Sequence, residues 1–410
     1  MFKTRFMWYQ KKCAFVLTIV IRWGPGVTSR PFPVGSEPRL LNPLRSPMLM
    51  LVPLNFLRSL ANFATVVCIA AIAPASVSAA DGNPADGGGA PNAATPLRPA
   101  VFEMDGRWIG NAVCFSPYRP GQAPGTIGKV QPSDEEIYSD LLLVQHYWNL
   151  IRLYDSSPVA ERTLRLIHEH HMPLRVLLGC WIDADSIPAN RALNLQEAAR
   201  AIRLAKTYPD IVLAVNVGNE TQVRWSAYRS DPHALIGYIR QVRGGISQPV
   251  SCADDYSYWE TPESKLISAE LDFVMVNLYA LWNGQPLSEA MKWSAGVYEQ
   301  IRALHSGRPV VISETGWATQ NDLNKTAPDG EASLMKAGAS VAAQEEYLRQ
   351  HYAWVDKNRV PTFLFEAFDE AWKGGGPSSS PDAAEKHWGV FDEERHPKAS
   401  FAAFAKSYYH

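Results

Sequence analysis

Short apolar runs alternate with longer amphipathic segments along most of the chain after residue 107. An apolar run of this length bounded by polar residues is typical of a buried strand, and amphipathic segments of ten or more residues are typical of helices. The alternation therefore predicts βα units on a parallel sheet. The eight predicted strands are 108–115, 150–155, 173–181, 211–217, 249–254, 271–279, 308–314 and 361–368.

The segments between these runs carry helix signals. The segment "SDEEIYSDLLLVQHYW" begins with Ser133 and Glu136, the spacing of a capping box. Apolar residues recur at helical spacing in 195–206, 286–304 and 342–358. Eight such units in roughly 300 residues predict a single (β/α)8 TIM barrel over 101–410. An open doubly wound sheet is the alternative, but the first strand lacks the Gly-rich phosphate loop that often accompanies that fold.

Two glutamates stand at the ends of predicted strands. Glu220 and the preceding Asn219 close the fourth strand in "VLAVNVGNE", and Glu314 closes the seventh in "VVISETGW". Because the carboxyl ends of barrel strands form one rim, both acids are expected at a single cleft. Two other roles stay open for Glu220, as a cap of the next helix or as the partner of Arg224.

A carboxylate pair of this kind suits glycoside hydrolysis. One carboxylic acid protonates the leaving oxygen, and a second carboxylate acts on the other side of the anomeric carbon. Glu220 would then need a raised pKa, from burial and from the charge of its partner, while Glu314 would stay ionised. Asn219 is suited to hydrogen-bonding a sugar 2-hydroxyl group.

The first hundred residues differ from the rest in charge and composition. Residues 1–80 hold nine Lys and Arg and a single acid, whereas residues 81–410 are acidic. Residues 1–47 receive no assignment and can lie upstream of the true start. Residues 48–80 combine an apolar stretch with "SVSAA", which predicts a cleaved signal peptide; a retained membrane anchor is the alternative. The Gly, Pro and Ala of 81–100 predict a flexible linker.

Composition narrows the function classes. An acidic body argues against a nucleic-acid partner, which requires a basic face. Cys114, Cys180 and Cys252 match no metal or redox spacing, so buried thiols are expected, with one disulfide as the alternative. The histidines, among them His387, show no metal-ligand spacing, and we expect neither a metal nor a cofactor. The chain has thirteen tryptophans, a residue that packs in cores and also stacks on sugar rings.

The strand motifs resemble glycoside hydrolase family 17, the β-1,3-glucanases and their transferase relatives. The resemblance is carried by "VGNE" on the fourth strand, "SETGW" on the seventh and "FEAFDEAWK" on the eighth. "IRLYD" resembles the family's second strand, "VNLYALW" its sixth, and "HWGVFDEERHPK" its closing segment. The motifs span 108–398 in the family's order, and the eighth-strand group and closing segment are the most specific.

The resemblance implies a role for each matching residue. Glu220 becomes the acid/base and Glu314 the nucleophile of a retaining mechanism. Tyr154 matches a tyrosine beside the nucleophile, or is a rim tyrosine that satisfies the backbone. Glu370 and Lys373 match a group that tunes the site, with a surface ion pair as the alternative.

Further substrate contacts are expected from rim residues. Tyr279, Trp317 and Trp372 could stack on glucosyl faces or could pack, and Asn277 could bind a hydroxyl group. Trp259 and Trp282, further into the loops, could extend a subsite. The first loop (116–130) and a seventh-strand insert (321–340) are longer than in eukaryotic members, so endo action is not implied.

The sequence leaves three candidate functions. The leading hypothesis is a secreted or periplasmic retaining β-1,3-glucan hydrolase whose partner is a β-glucan chain, with membrane contact only if the apolar leader is retained. A β-1,3-glucan transglycosylase with the same site is the alternative. A non-catalytic glucan-binding barrel is disfavoured because both acids are present.

Overall fold

The computed structural model describes residues 96–125, 130–336, 338–376 and 378–409. The expected leader (1–47), the expected signal or anchor (48–80) and most of the expected linker lie outside these residues. Within the described part of the chain, no helix has both the length and the hydrophobicity needed to span a bilayer.

Eight parallel strands form a closed barrel, as predicted. Each barrel strand pairs with the next along the chain, and the last pairs with the first. A two-stranded antiparallel hairpin precedes them. The strands are β1 (Glu103–Met104), β2 (Arg107–Trp108), β3 (Asn111–Cys114), β4 (Leu150–Arg152), β5 (Arg175–Cys180), β6 (Val212–Asn219), β7 (Val250–Asp255), β8 (Val274–Asn277), β9 (Val310–Thr315) and β10 (Thr362–Leu364).

Helices connect the barrel strands and cover the outside of the barrel. The predicted capping box is present, since Ser133 and Glu136 bond to each other's backbone N–H groups. The predicted helix 195–206 begins earlier, at Pro188, because proline fits the first turn of a helix. The helices are α1 (Asp134–Val144), α2 (Pro158–Glu169), α3 (Pro188–Thr207), α4 (Pro232–Gly245), α5 (Tyr256–Trp259), α6 (Lys265–Ser268), α7 (Leu287–Leu304), α8 (Glu331–Met335), α9 (Val341–Asn358) and α10 (Ala399–Tyr408).

The β1–β2 hairpin lies at the amino ends of the barrel strands. Its turn, Asp105–Gly106, has two positive φ angles, 51° and 74°, which tight hairpin turns favour. Phe102, just before β1, packs edge-on against Phe273, which precedes β8. Trp108 therefore belongs to the hairpin and not to the first barrel strand as expected. The hairpin places apolar side chains against the end of the barrel opposite the cleft.

The folded region begins upstream of residue 101. The Pro96 carbonyl accepts a hydrogen bond from Arg243, and the Arg98 backbone N–H donates to Asp272 at 2.8 Å. The Arg98 guanidinium also donates to the Ile246 and Gln248 carbonyls. These contacts attach the last residues of the expected linker, 96–100, to the amino end of the barrel.

The strands divide the core into two layers. Alternate strand residues face outward to the helices or inward to the barrel axis, as the period of two requires. Three cysteines are buried in these layers as free thiols, as the sequence predicted for Cys114, Cys180 and Cys252. The inward cluster includes Ala112, Cys114, Leu177, Ala214, Ala253, Met275, Val311 and Phe363.

Candidate active site

The two glutamates expected at the cleft lie at the carboxyl ends of their strands. Glu220 immediately follows the last residue of β6, and Glu314 is the fifth residue of β9. Glu220 is half-buried, whereas Glu314 is 5% exposed. Glu220 neither caps a helix nor pairs with Arg224, which is exposed; the next helix, α4, is capped by Asp231.

A left-handed turn delivers Glu220 from the buried strand. Gly218 has a φ of 81° and Glu220 a φ of 53°. This conformation costs a non-glycine residue roughly 1–2 kcal/mol and requires support from its surroundings. A hydrogen bond from the Glu220 N–H to the Ala253 carbonyl on β7, at 3.0 Å, contributes that support. The acid therefore leaves the strand direction while its backbone stays attached to the barrel.

Arg152 and Tyr279 bind the two oxygens of Glu314. The Arg152 guanidinium donates to Oε1 at 2.7 Å, and the Tyr279 hydroxyl donates to Oε2 at 2.7 Å. Arg152 is fully buried at the end of β4 and was not among the expected site residues. Its guanidinium lies 4.5 Å from the ring centre of Tyr154, half-buried beside it. The buried cation balances the charge of the Glu314 carboxylate.

The environment of Glu220 favours its protonated form. Burial and the charge of Glu314 raise the pKa of Glu220 well above its usual value, with smaller contributions from Asp255 and Asp254. A hydrogen bond from the Asn277 amide to Oε1, at 3.0 Å, acts in the opposite direction. The two glutamates therefore occupy different electrostatic environments.

A chain of hydrogen bonds joins the surroundings of the two acids. The Asn219 carbonyl oxygen, Oδ1, accepts from Arg152 at 2.9 Å and from Asn277 at 3.3 Å. Arg152 binds Glu314, and Asn277 binds Glu220, so Asn219 lies between the two halves of the site. Since Oδ1 is occupied, the Asn219 amide nitrogen is the atom suited to meet a ligand.

Three of the residues expected to contact substrate are buried in the structure. Asn277 is fully buried, and it donates to Glu220 and accepts from Ser313 at 2.6 Å, so it orients the acid and does not face the cleft. Trp317 is 1% exposed, donates to the Gly338 carbonyl and packs on a core tyrosine. It cannot present a face to a sugar because the insert 321–340 folds back over it. Trp259 is also buried, and its indole N–H donates to the Met275 carbonyl.

Tyr279, Trp282 and Trp372 are half-buried at the rim. Tyr279 and Trp282 both contact Trp388, a buried tryptophan of the closing segment that was not expected at the site. The Trp372 indole N–H donates to Glu370 at 2.7 Å. These three rings remain candidates for stacking on sugars.

The eighth-strand group is a buried ion cluster and not a surface pair. The Lys373 ammonium lies 2.6 Å from an oxygen of Glu370 and 2.6 Å from an oxygen of Glu366, and all three residues are at most 6% exposed. Glu366 was not expected. Burial and Glu370 raise the pKa of Glu366 well above its usual value, against the charge of Lys373. Burial lowers the pKa of Lys373, but the two carboxylates outweigh it and raise the pKa.

Glu385, in the short turn just before the closing segment, is a second acid that sequence reasoning missed. Burial raises its pKa to about 7; the charges of Glu331 and Glu314 add to the rise, and Lys373 opposes it. Glu331 belongs to the 321–340 insert and accepts a hydrogen bond from the Ala384 N–H at 2.8 Å. The insert therefore contacts the short turn that carries Glu385.

A group with the spacing of metal ligands lies in the closing segment. In the part of the chain that the structure describes, it consists of Asp392, Glu394 and His396, which are mostly exposed. Asp392 already accepts the backbone N–H groups of Glu394 and His396. The Asp392 carboxylate therefore stabilises the turn that contains all three residues.

The fold and the site together define a (β/α)8-barrel protein with a paired-glutamate cleft. A family profile described as the BtgE/BtgC glycoside hydrolase domain matches residues 112–389. The chain therefore belongs to this family of glycoside hydrolase domains, which is of the family 17 type, as the strand motifs predicted.

Known relatives match the same region. The Aspergillus niger protein btgC, to which a glucan endo-1,3-beta-glucosidase activity is ascribed, is 28% identical over 282 residues. The match covers 65% of this chain and 40% of btgC, so the chain spans about two fifths of that relative. The glucan 1,3-beta-glucosidase of Schizosaccharomyces pombe is 27% identical over 263 residues, covering 60% of this chain and 76% of the relative.

The solved structure of a glycoside hydrolase family 17 β-1,3-glucanosyltransferase from Rhizomucor miehei is 26% identical to this chain. Its TM-score is 0.55, and the match covers 71% of this chain and 96% of that one. An active-site mutant of the same enzyme, solved in complex with laminaritriose, is 25% identical with a TM-score of 0.56 and the same coverage.

Replacing Tyr279 by phenylalanine is expected to lower kcat/KM roughly 10- to 100-fold with little change in Tm. The change removes a hydrogen bond to the charged Glu314, and such bonds are worth about 1.5–3 kcal/mol. Steady-state kinetics on a laminari-oligosaccharide would measure the loss. Tyr347→Phe is the control, because the Tyr347 hydroxyl bonds to the adjacent Thr315 and not to Glu314. Equal losses in both variants would contradict a specific role for Tyr279.

Proposed function

We propose that this protein is a retaining glycoside hydrolase that acts on β-1,3-glucan. The observation that carries the proposal is the pair of strand-end glutamates in opposite environments, Glu220 with a raised pKa and Glu314 bound by a buried arginine. The relatives named for action on 1,3-β-glucan support the substrate class. So does the laminaritriose complex of the similar transferase.

In the first step, an oxygen of Glu314 attacks the anomeric carbon while the bond to the leaving oxygen breaks. Glu220 gives its proton to that oxygen, so the first sugar departs as an alcohol. Arg152 and Tyr279 hold the attacking carboxylate in one orientation, which removes the entropic cost of aligning it. The glycosyl unit is then an ester of Glu314.

In the second step, Glu220 acts as a base. It takes a proton from a water molecule as the water oxygen attacks the anomeric carbon, and the ester bond to Glu314 breaks. The charge of Glu314 is neutralised in the ester, so the repulsion that raised the pKa of Glu220 is relieved at the step that needs a base. We expect the Asn219 amide nitrogen to donate to the substrate 2-hydroxyl group.

Transglycosylation is the second candidate. The similarity to the Rhizomucor miehei glucanosyltransferase favours it, at 26% identity over most of that chain. The two reactions share every step except the last, in which a sugar hydroxyl replaces water. The outcome depends on how well an acceptor outcompetes water for the ester of Glu314.

Product analysis tests the proposal. The full-length protein is incubated with laminari-oligosaccharides of defined length, and products are resolved over time. Shorter products alone indicate hydrolysis, and products longer than the substrate indicate transfer. If a folded protein forms neither kind of product and also leaves polymeric β-1,3-glucan intact, both functions are contradicted.

The location of the protein remains a prediction from sequence. Residues 48–80 are proposed to direct secretion or export to the periplasm, with 81–100 as a linker to the barrel. This arrangement would bring the cleft to an extracellular glucan. Sequencing the amino terminus of the mature protein would show whether cleavage occurs near Ala79 or Ala80.

A further inference from the structure

Asp254 is a fully buried carboxylate beside the loop that carries Glu220. It is the fifth residue of β7, the neighbour of β6. Three backbone N–H groups donate to its oxygens: Gln222 at 2.8 Å, Asp255 at 2.9 Å and Val223 at 3.2 Å. Two of these donors follow Glu220 by only two and three residues, so the carboxylate binds the chain just after the candidate acid.

Glu220 needs support from neighbouring residues because its backbone conformation is unfavourable. Its φ of 53° lies in the left-handed region that non-glycine residues rarely adopt. Its own N–H is bonded to Ala253, the residue before Asp254. Consecutive residues of β7 therefore hold both sides of the turn, one through a carbonyl group and the other through a carboxylate.

We propose that Asp254 is a positioning residue that holds Glu220 at the cleft by fixing the loop after it. The inference rests on the proposed function of Glu220 as acid/base. Asp254 does not act on the substrate itself, because its side chain is fully buried and its oxygens accept the backbone N–H groups of Gln222, Val223 and Asp255.

Because Asp254 carries a charge near Glu220, its removal is expected to change the pH dependence of kcat/KM. The carboxylates that raise the pKa of Glu220, after burial, are Glu314, Asp255 and Asp254, and Asn277 opposes them. Burial raises the pKa of Asp254 to about 7, its N–H donors oppose that rise and Asp255 adds to it. Asp254 also acts on Cys252 and Tyr258, whose pKa values are raised mainly by burial.

As pH rises through the pKa of Asp254, its developing negative charge makes ionisation of Glu220 harder. The protonated, active form of Glu220 then persists to higher pH. Removing the charge must therefore move the alkaline limb of kcat/KM to lower pH.

The test is Asp254→Asn in the full-length protein. We expect kcat/KM on laminari-oligosaccharides to fall about tenfold or more at its optimum, and the alkaline limb to move to lower pH, because one of the charges that raise the pKa of Glu220 is lost. The loss should be smaller on a dinitrophenyl β-glucoside, whose leaving group needs no proton. A wild-type alkaline limb with equal losses on both substrates would overturn the inference.

Asp272→Asn is the matched control. Asp272 is a buried carboxylate that accepts the N–H of Val250, at the amino end of the same strand, β7, and also the N–H of Arg98. Its replacement should lower Tm and leave the pH profile unchanged. If the pH profile of Asp272→Asn also shifted, the shift seen in Asp254→Asn would reflect lost stability and not the position of Glu220.

Asp254→Glu provides the second variant if Asp254→Asn does not fold. It keeps the charge but displaces the acceptor oxygens, so the alkaline limb should stay in place while kcat/KM falls. Wild-type kinetics at every pH would overturn the positioning role. Glu314→Gln in the same assays separates the two proposals: if it remains active, the proposed mechanism through Glu314 and Glu220 fails, whatever the Asp254 variants do.

Discussion

Glu314→Gln is expected to abolish turnover of β-1,3-glucan, lowering kcat by roughly 10⁴–10⁶-fold, the range for loss of a nucleophile. The amide has no charge and attacks an anomeric carbon poorly, so the glycosyl ester cannot form. Loss of the carboxylate also leaves Arg152 buried without its ionic partner.

The fold should survive this change. Removing one partner of a buried ion pair costs about 3–5 kcal/mol, but Arg152 keeps its hydrogen bonds to the Ser313 carbonyl and to Asn219. The side-chain oxygen of the introduced glutamine can still accept from Arg152. We therefore expect a lower Tm with the secondary structure retained, both measured by circular dichroism.

Two measurements decide the result. Turnover is followed on laminari-oligosaccharides, and glucan binding by calorimetry with the same ligand, which should be retained within a few-fold. Glu270→Gln is the control for the isosteric change, because Glu270 pairs with Arg240 outside the site. A folded Glu314→Gln variant with substantial activity would show that another residue is the nucleophile.

The barrel and its two acids were predictable from sequence because both depend on local patterns. An apolar run that ends in Asn219–Glu220 predicts that these two residues lie at the rim of the barrel, since the strand ends meet there. The same reasoning found Glu314. Neither prediction required knowledge of which strands are neighbours.

The rest of the site depends on contacts between distant segments. Arg152 lies inside an apolar run of the sequence, and its role depends on the contact that the fold creates between the end of β4 and Glu314 on β9. Glu366 and Glu385 do not end a predicted strand, and the pKa of each is raised mainly by burial, which depends on how distant segments pack.

Trp317 was expected at the cleft from its sequence position, but the structure buries it. It follows Glu314 by three residues, so its position along the chain indicates the rim. The insert 321–340 covers it, and the Gly338 carbonyl accepts its N–H. Sequence position gives the height of a side chain in the barrel, but loop packing decides whether a ligand can reach it.

Glu220→Gln is expected to slow hydrolysis of laminari-oligosaccharides by roughly 10²–10⁴-fold, the usual contribution of a general acid. The glutamine cannot protonate the leaving oxygen, although it keeps the size of the acid and can still accept from Asn277. On a dinitrophenyl β-glucoside the first step needs no proton, so its kcat/KM should change little.

The second step then becomes limiting, because no base remains to activate water. Azide should restore turnover, since an anion attacks the Glu314 ester without giving up a proton, and the neutral glutamine does not repel it. Attack on an ester formed with inversion returns the original configuration, so the product is a β-glycosyl azide identifiable by NMR. Equal losses on natural and activated substrates, or no azide product, would assign the proton to a residue other than Glu220.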